Sequence, residues 1–212
     1  MFGIEVLNEP ISWIVYITAP STGKAEDKEE AKGSGYVPLP FLREFYTNAY
    51  NRIRAIMPEE KTIVFHDGFR CTSWNKFFRE SGFKNVALDT HPYIFAMENF
   101  VPFPRPWAYK LYLAGVMSQI RTAQKDIPVI VGEWCISNKY ANNIQQDKEE
   151  CKRRYREIAK LQLDKWQETA GWFYWNYQLL KDHEVPTDMP WKESWDFYRC
   201  IKNGWLSKEM FK

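Results

Sequence analysis

Residues 127–134, IPVIVGEW, decide the fold: five apolar residues, four of them β-branched, run unbroken to Gly132 and end on a carboxylate and an indole. A run this short, without alternation, fits a strand buried on both faces, as in a parallel sheet. Four more runs share the pattern: FGIEVLNEP at 2–10, KTIVFHDGF at 61–69, KNVALDTHPY at 84–93 and AGWFYWNYQ at 170–178. Between them the spacing changes to the helical period. Residues 40–57 carry Phe41, Phe45, Ala49, Ile53 and Ile56 as an apolar stripe, and residues 107–124 carry Trp107, Leu111, Ala114, Met117 and Ile120. Residues 144–169 oppose Lys148, Glu149, Lys152, Arg153 and Arg156 to Cys151, Tyr155, Ile158, Leu161 and Leu163. A shorter helix is predicted over 72–81, stopping at Gly82, and a last one within 193–203 before Gly204. Residues 24–35 and 181–193 read as long surface loops. Strands alternating with helices predict an α/β chain of five βα units around a parallel sheet.

At 212 residues and 45% hydrophobic content the chain can bury one sizeable core. Twenty-nine Lys and Arg against 27 Asp and Glu leave a net charge of +2, too balanced to favour nucleic acid or an anionic membrane surface. No apolar run approaches the roughly 18–20 residues that span a bilayer, and MFGIEVLNEP does not have the pattern of an intact signal peptide. Cys71, Cys135, Cys151 and Cys200 form no CxxC pair, so neither a zinc knuckle nor a disulfide-dense scaffold is expected. With three His in all, a multi-histidine metal site is not expected either. Ten Trp, twelve Tyr and fourteen Phe make 17% of the chain, which suits an aromatic core or a cleft whose flat faces stack on sugars.

In α/β barrels the C-terminal ends of the strands build the ligand site. Those ends read Asn8-Glu9-Pro10, His66-Asp67, His91-Pro92-Tyr93, Glu133-Trp134 and Trp175-Asn176-Tyr177. Glu9 and Glu133 follow directly on apolar runs, where a carboxylate faces a cleft, forms an ion pair or costs desolvation free energy. A pair of carboxylates is what glycoside hydrolysis uses, one as acid for the leaving oxygen and one as nucleophile or base. Asn8 can bond a sugar hydroxyl, and His91 and Tyr93, two apart, share one face of an extended segment. Phe69 can form an aromatic wall at the cleft entrance. His66 and Asp67 suit either sugar hydroxyls or buried structural hydrogen bonds.

NEP, HPY, GEW and GWFYWNYQ, in that order on successive strands, together with the closing WDFYRCIKNG, resemble the later strands of the glycoside hydrolase family 5 barrel, most closely its exo-β-1,3-glucanase branch. The resemblance implies a partial (β/α)8 TIM barrel, strands 4 to 8 with their helices, as a single domain over 1–212. It implies a retaining glycosidase acting on a β-glucan, with Glu9 as acid/base and Glu133 as nucleophile about 5–5.5 Å apart. Asn8 would meet the 2-hydroxyl, His91 and Tyr93 would orient the nucleophile, and Trp175 or Tyr177 would floor the sugar subsite. It implies no metal and no organic cofactor. The resemblance begins at the family's fourth strand, whereas a complete barrel takes about 250 residues. Three βα units therefore have no counterpart, which keeps open a catalytically inactive carbohydrate-binding remnant, or self-association through exposed sheet edges.

Overall fold

A computed structural model describes residues 2–18, 25–32, 34–101, 103–144, 147–179 and 190–211. The chain resolves into two compact units, Met1–Thr90 with Arg121–Val129, and His91–Ile120 with Ile130–Lys212. In the first, β1 (Gly3–Glu5), α1 (Trp13–Thr18), α2 (Leu39–Arg54), β2 (Thr62–His66), α3 (Phe77–Glu80) and β3 (Val86–Thr90) follow one another. β1 pairs with β2 and β2 with β3, both parallel. In the second, α4 (Phe95–Glu98), α5 (Pro106–Ala123), β4 (Val129–Trp134), α6 (Lys139–Asn142), α7 (Lys148–Trp166), β5 (Gly171–Tyr174), α8 (Pro190–Glu193) and α9 (Phe197–Lys202) continue the order, and β4 pairs parallel with β5. The last residues of α5 and the first of β4 fall in the first unit. Parallel strands separated by helices make the fold class α/β, the repeating βα pattern of a partial (β/α)8 barrel.

All five strands lie inside the apolar runs that announced them, but two helices turn differently from expectation. In α2 the buried residues are Leu42 and Tyr46, while Phe41, Phe45 and Ile56 are exposed. Tyr46 wins the inward position because its ring packs on Phe65 and Trp74 while its hydroxyl donates to His66 O at 2.8 Å. In α5 the inward stripe is Tyr109, Leu113, Met117 and Ile120, and Trp107 and Leu111 face outward. In α7 Cys151, Tyr155, Ile158 and Leu163 are buried as expected, but Leu161 is only half-buried and Gln162 takes an inward place, its side chain donating to Cys135 O. The helix predicted over 72–81 divides into a 3₁₀ turn, Cys71–Trp74, and α3, because Lys76 adopts a left-handed φ of 66° between them. The loop predicted over 181–193 ends in α8, and its residues 181–189 lie outside the described residues. The short helices α1, α4 and α6 went unforeseen, being too brief to display a period.

The aromatic surplus divides between the core and the surface, where Phe41, Phe103, Trp107 and Tyr177 are among the exposed rings. Phe65, Trp74 and Phe78 are buried in the first unit, and Trp134, Tyr155 and Trp166 in the second. Trp134 sets its ring against Trp166, Trp172 and Tyr174 at centroid distances of 5.0–6.4 Å. All four cysteines are free and buried, and burial pushes the Cys71, Cys135 and Cys200 thiols up, away from thiolate chemistry. Among the described residues no helix is long and apolar enough to cross a membrane.

Candidate active site

The first unit holds Asn8, Glu9 and Phe69. Asn8 is exposed and Glu9 half-buried, with Glu9 at φ 45°, between an exposed neighbour and buried Pro10. A carboxylate oxygen of Glu9 and a ring nitrogen of His66 lie within 4.8 Å of each other. Gly68 makes that approach possible. It adopts φ +63°, and a Cβ there would sit 2.8 Å from Pro10 O, next to Glu9. Only glycine lets the turn after β2 come this close to the chain after β1.

His66 and Asp67 are wholly buried and perform structural work. His66 Nδ1 accepts from the Gly68 amide at 2.9 Å, so the neutral ring carries its proton on Nε2. Asp67 accepts from the Phe69 amide at 2.6 Å and the Thr90 hydroxyl at 2.9 Å, while the Trp74 indole donates to its carbonyl at 2.7 Å. Phe69, half-buried at φ 58°, sets its ring edge-on to His66 at 5.3 Å.

The second unit holds His91, Tyr93, Glu133, Trp175 and Tyr177. Tyr93 Oη donates to Glu133 Oε2 at 2.7 Å, and His91 Nδ1 stands 3.5 Å from the same oxygen. A local irregularity aims this carboxylate. In the β4–β5 pairing Val131 opposes Trp172 and Trp134 opposes Tyr174, so β4 takes three steps where β5 takes two. The extra residue is a bulge at Gly132 and Glu133, a device that re-aims a side chain at a strand end.

Behind the bulge the chain after β4 is anchored from three sides. The Ile136 amide donates to Tyr174 Oη at 3.2 Å, Gln162 Nε2 donates to Cys135 O at 3.1 Å, and the Lys139 amide donates to Glu98 Oε1 at 2.7 Å. Glu98 is a buried carboxyl that also accepts from Tyr109 Oη at 2.5 Å. Burial raises its pKa, opposed by these two hydrogen bonds and by the Lys139 charge.

Trp175 and Tyr177 project from the end of β5, and both are exposed. The Trp175 amide donates to Trp134 O at 2.9 Å, and the following peptide bond to Asn176 is cis. Trp195 places its ring 5.3 Å from Tyr93 and 5.6 Å from Phe95. Its carbonyl accepts from the Asn176 amide at 2.7 Å, which ties it to the segment bearing Trp175. Trp195 and Glu98 were both missed as parts of this surrounding. Their links to Tyr93 and Lys139 are tertiary, and no local pattern announces them.

The second unit thus joins an apolar strand ending in a carboxylate, a tyrosine and a histidine beside that carboxylate, and exposed aromatic rings at the end of the next strand. No family model matches the chain. It is, however, similar to curated glucan 1,3-beta-glucosidases: 26% identical over 197 residues to the probable glucan 1,3-beta-glucosidase A of Aspergillus terreus, covering 77% of this chain and 43% of that protein. The glucan 1,3-beta-glucosidase of Candida oleophila is 24% identical over 254 aligned positions, 99% of this chain and 49% of its own length. A shorter stretch, 96 positions, is 34% identical to the probable glucan 1,3-beta-glucosidase A of Emericella nidulans. The chain spans less than half the length of these relatives.

Proposed function

We propose that these 212 residues are one partial-barrel domain, without the first three βα units, of a retaining family 5 glycosidase that acts on β-1,3-glucan from the chain end. The observation that most supports this reading is the setting of Glu133, a carboxylate displaced by a bulge and bonded by Tyr93. In the proposed double displacement a Glu133 oxygen attacks the anomeric carbon while Glu9 protonates the departing glycosidic oxygen, leaving a glycosyl ester on Glu133. Glu9, now ionised, takes a proton from water as the water oxygen attacks the same carbon, and the ester bond breaks to restore the Glu133 carboxylate. Tyr93 and His91 hold the nucleophile, Asn8 receives the 2-hydroxyl, Trp175 or Tyr177 stacks beneath the sugar, and Phe69 lines the entrance.

The same reading accounts for exposed apolar side chains at both ends of the strand series. Among the described residues β1 pairs with β2 alone and β5 with β4 alone, and Ile4, Phe173 and Trp175 are exposed. An apolar edge strand is a template for further pairing. The chain by itself is therefore expected to turn over little and to self-associate.

Trapping tests the reading. The chain, alone and fused behind the first three βα units of a curated relative, would be incubated with an activated 2-deoxy-2-fluoroglucoside and digested for peptide mass spectrometry. A fluoroglucosyl adduct on Glu133 in the fusion supports it. An adduct on another residue, or none in a fusion that hydrolyses laminarin, defeats the assignment, and a folded fusion that binds laminarin without cleaving it identifies a carbohydrate-binding remnant.

A further inference from the structure

The outward side of α5 combines large apolar side chains with positive charge. Phe100, Phe103, Trp107 and Leu111 are 74%, 82%, 64% and 69% exposed. Trp107 and Leu111 stand one turn apart on the same face. Beside them Met97, Val101, Tyr112 and Val116 line an open groove of about 320 Å³, which Trp107 and Leu111 complete. Phe100 and Phe103 flank Val101 in the chain. Tyr109, Leu113, Met117 and Ile120 already serve the core, so the outward apolar residues add nothing to it.

Charge selects the partner. From Asn99 to Lys125 the chain contains Arg105, Lys110, Arg121 and Lys125 and no Asp or Glu, although the whole chain is nearly neutral. Arg105 and Lys110 are exposed, and neither is ion-paired among the described residues. The preceding acid, Glu98, is buried and bonded to Tyr109 and the Lys139 amide. A neutral glucan has no use for this charge. Protruding Phe, Trp and Leu beside Arg and Lys, on a helix that lies along the surface, is the composition that settles at the boundary between headgroups and acyl chains.

We propose that the second unit docks on an anionic lipid surface through the outward side of α5 together with Phe100, Phe103 and Arg105. Phe100, Phe103, Trp107 and Leu111 enter the boundary region, and Arg105 and Lys110 meet the headgroup anions. The charge balance of the whole chain, which argued against a membrane, averages this local asymmetry away.

Vesicle flotation of the full 212-residue chain tests the proposal. The vesicles would be phosphatidylcholine alone, or with roughly 30 mol% phosphatidylserine, in about 0.05 M and about 0.5 M NaCl. The chain is expected to float with the anionic vesicles at low salt and to lose at least about tenfold in partitioning at high salt or on neutral vesicles. Arg105→Glu and Lys110→Glu should each cost about fivefold or more, and Trp107→Ser with Leu111→Ser about tenfold or more, with circular dichroism and melting unchanged. Ile56→Ser, at an exposed apolar residue outside the patch, should cost nothing. The proposal fails if no flotation occurs, if neutral and anionic vesicles bind alike, if Ile56→Ser costs as much, or if the charge and apolar variants still float. It also fails if sedimentation shows the apolar variants dissolving a dimer of a chain that binds no vesicle, since the face would then join two copies.

Discussion

The hydroxyl of Tyr93 donates a 2.7 Å hydrogen bond to Oε2 of Glu133, joining the segment after β3 to the end of β4. His91, two residues back, stands 3.5 Å from the same oxygen. The two come from one short segment that is turned rather than extended as expected, the Tyr93 amide donating to His91 O at 3.0 Å across Pro92. The Tyr112 hydroxyl in turn donates to Tyr93 O at 3.2 Å, which fixes the tyrosine from α5.

Removing that hydroxyl alone should be costly. A hydrogen bond to a charged acceptor contributes about 1.5–3 kcal/mol, so Tyr93→Phe in the fused, completed barrel should lower kcat/KM for an aryl β-glucoside about 10- to 100-fold. A loss below about twofold would show that the tyrosine does not hold the nucleophile.

The two carboxylates should fail in different ways. Glu133→Gln should abolish turnover on every substrate. Glu9→Ala should spare an aryl glucoside whose leaving group needs no protonation and should gain rate from added azide. Equal inactivity on activated and unactivated substrates, with no azide response, would remove Glu9 from the acid/base role.

Gly68→Ala should destabilise the fold. It adds the strain of a left-handed alanine, about 1–2 kcal/mol, to a Cβ 2.8 Å from Pro10 O. Urea unfolding should show a lower midpoint at unchanged slope. An unchanged midpoint would mean that the turn after β2 yields freely.

Glu98 makes stability depend on pH in a stated direction. Burial raises its folded pKa, so the folded state holds this proton more tightly than the unfolded chain does. Its contribution is present below the unfolded carboxyl pKa and is lost as pH rises through the folded value. Glu98→Gln keeps an acceptor for Tyr109 and for the Lys139 amide but cannot ionise. The melting temperature of this variant relative to wild type should therefore rise as pH increases from about 4.3 upward. A constant difference across that range would show that the carboxyl does not titrate in the folded state.

The isolated chain should be nearly inactive on laminarin and larger than a monomer by sedimentation, because Ile4, Phe173 and Trp175 are exposed. A cooperatively melting monomer with turnover comparable to the completed barrel would overturn both expectations.

The inner strands β2, β3 and β4 were legible in the sequence because a strand buried on both faces must be largely apolar, and that requirement is local, while β1 and β5 carry the same kind of run although Ile4 and Phe173 are exposed. The places of Glu9 and Glu133 were legible because each closes an apolar run, and those of His91 and Tyr93 because they come just after the strand that ends at Thr90. Helix facing was less so. Phe41 and Leu42 are adjacent and both apolar, and the choice of Leu42 with Tyr46 as the inward pair was made by Phe65 and Trp74, distant in sequence. Glu98 shows the same limit. A glutamate in a four-residue helix carries no sign of burial, and it is buried because Tyr109 and the Lys139 amide, 11 and 41 residues away, satisfy it. The bulge at Gly132 and Glu133 exists only in the pairing of β4 with β5. The sequence alone determined which residues end the strands, because burial acts residue by residue; the aim of those residues was decided by tertiary structure, because register, bulges and long-range hydrogen bonds depend on which strand lies alongside.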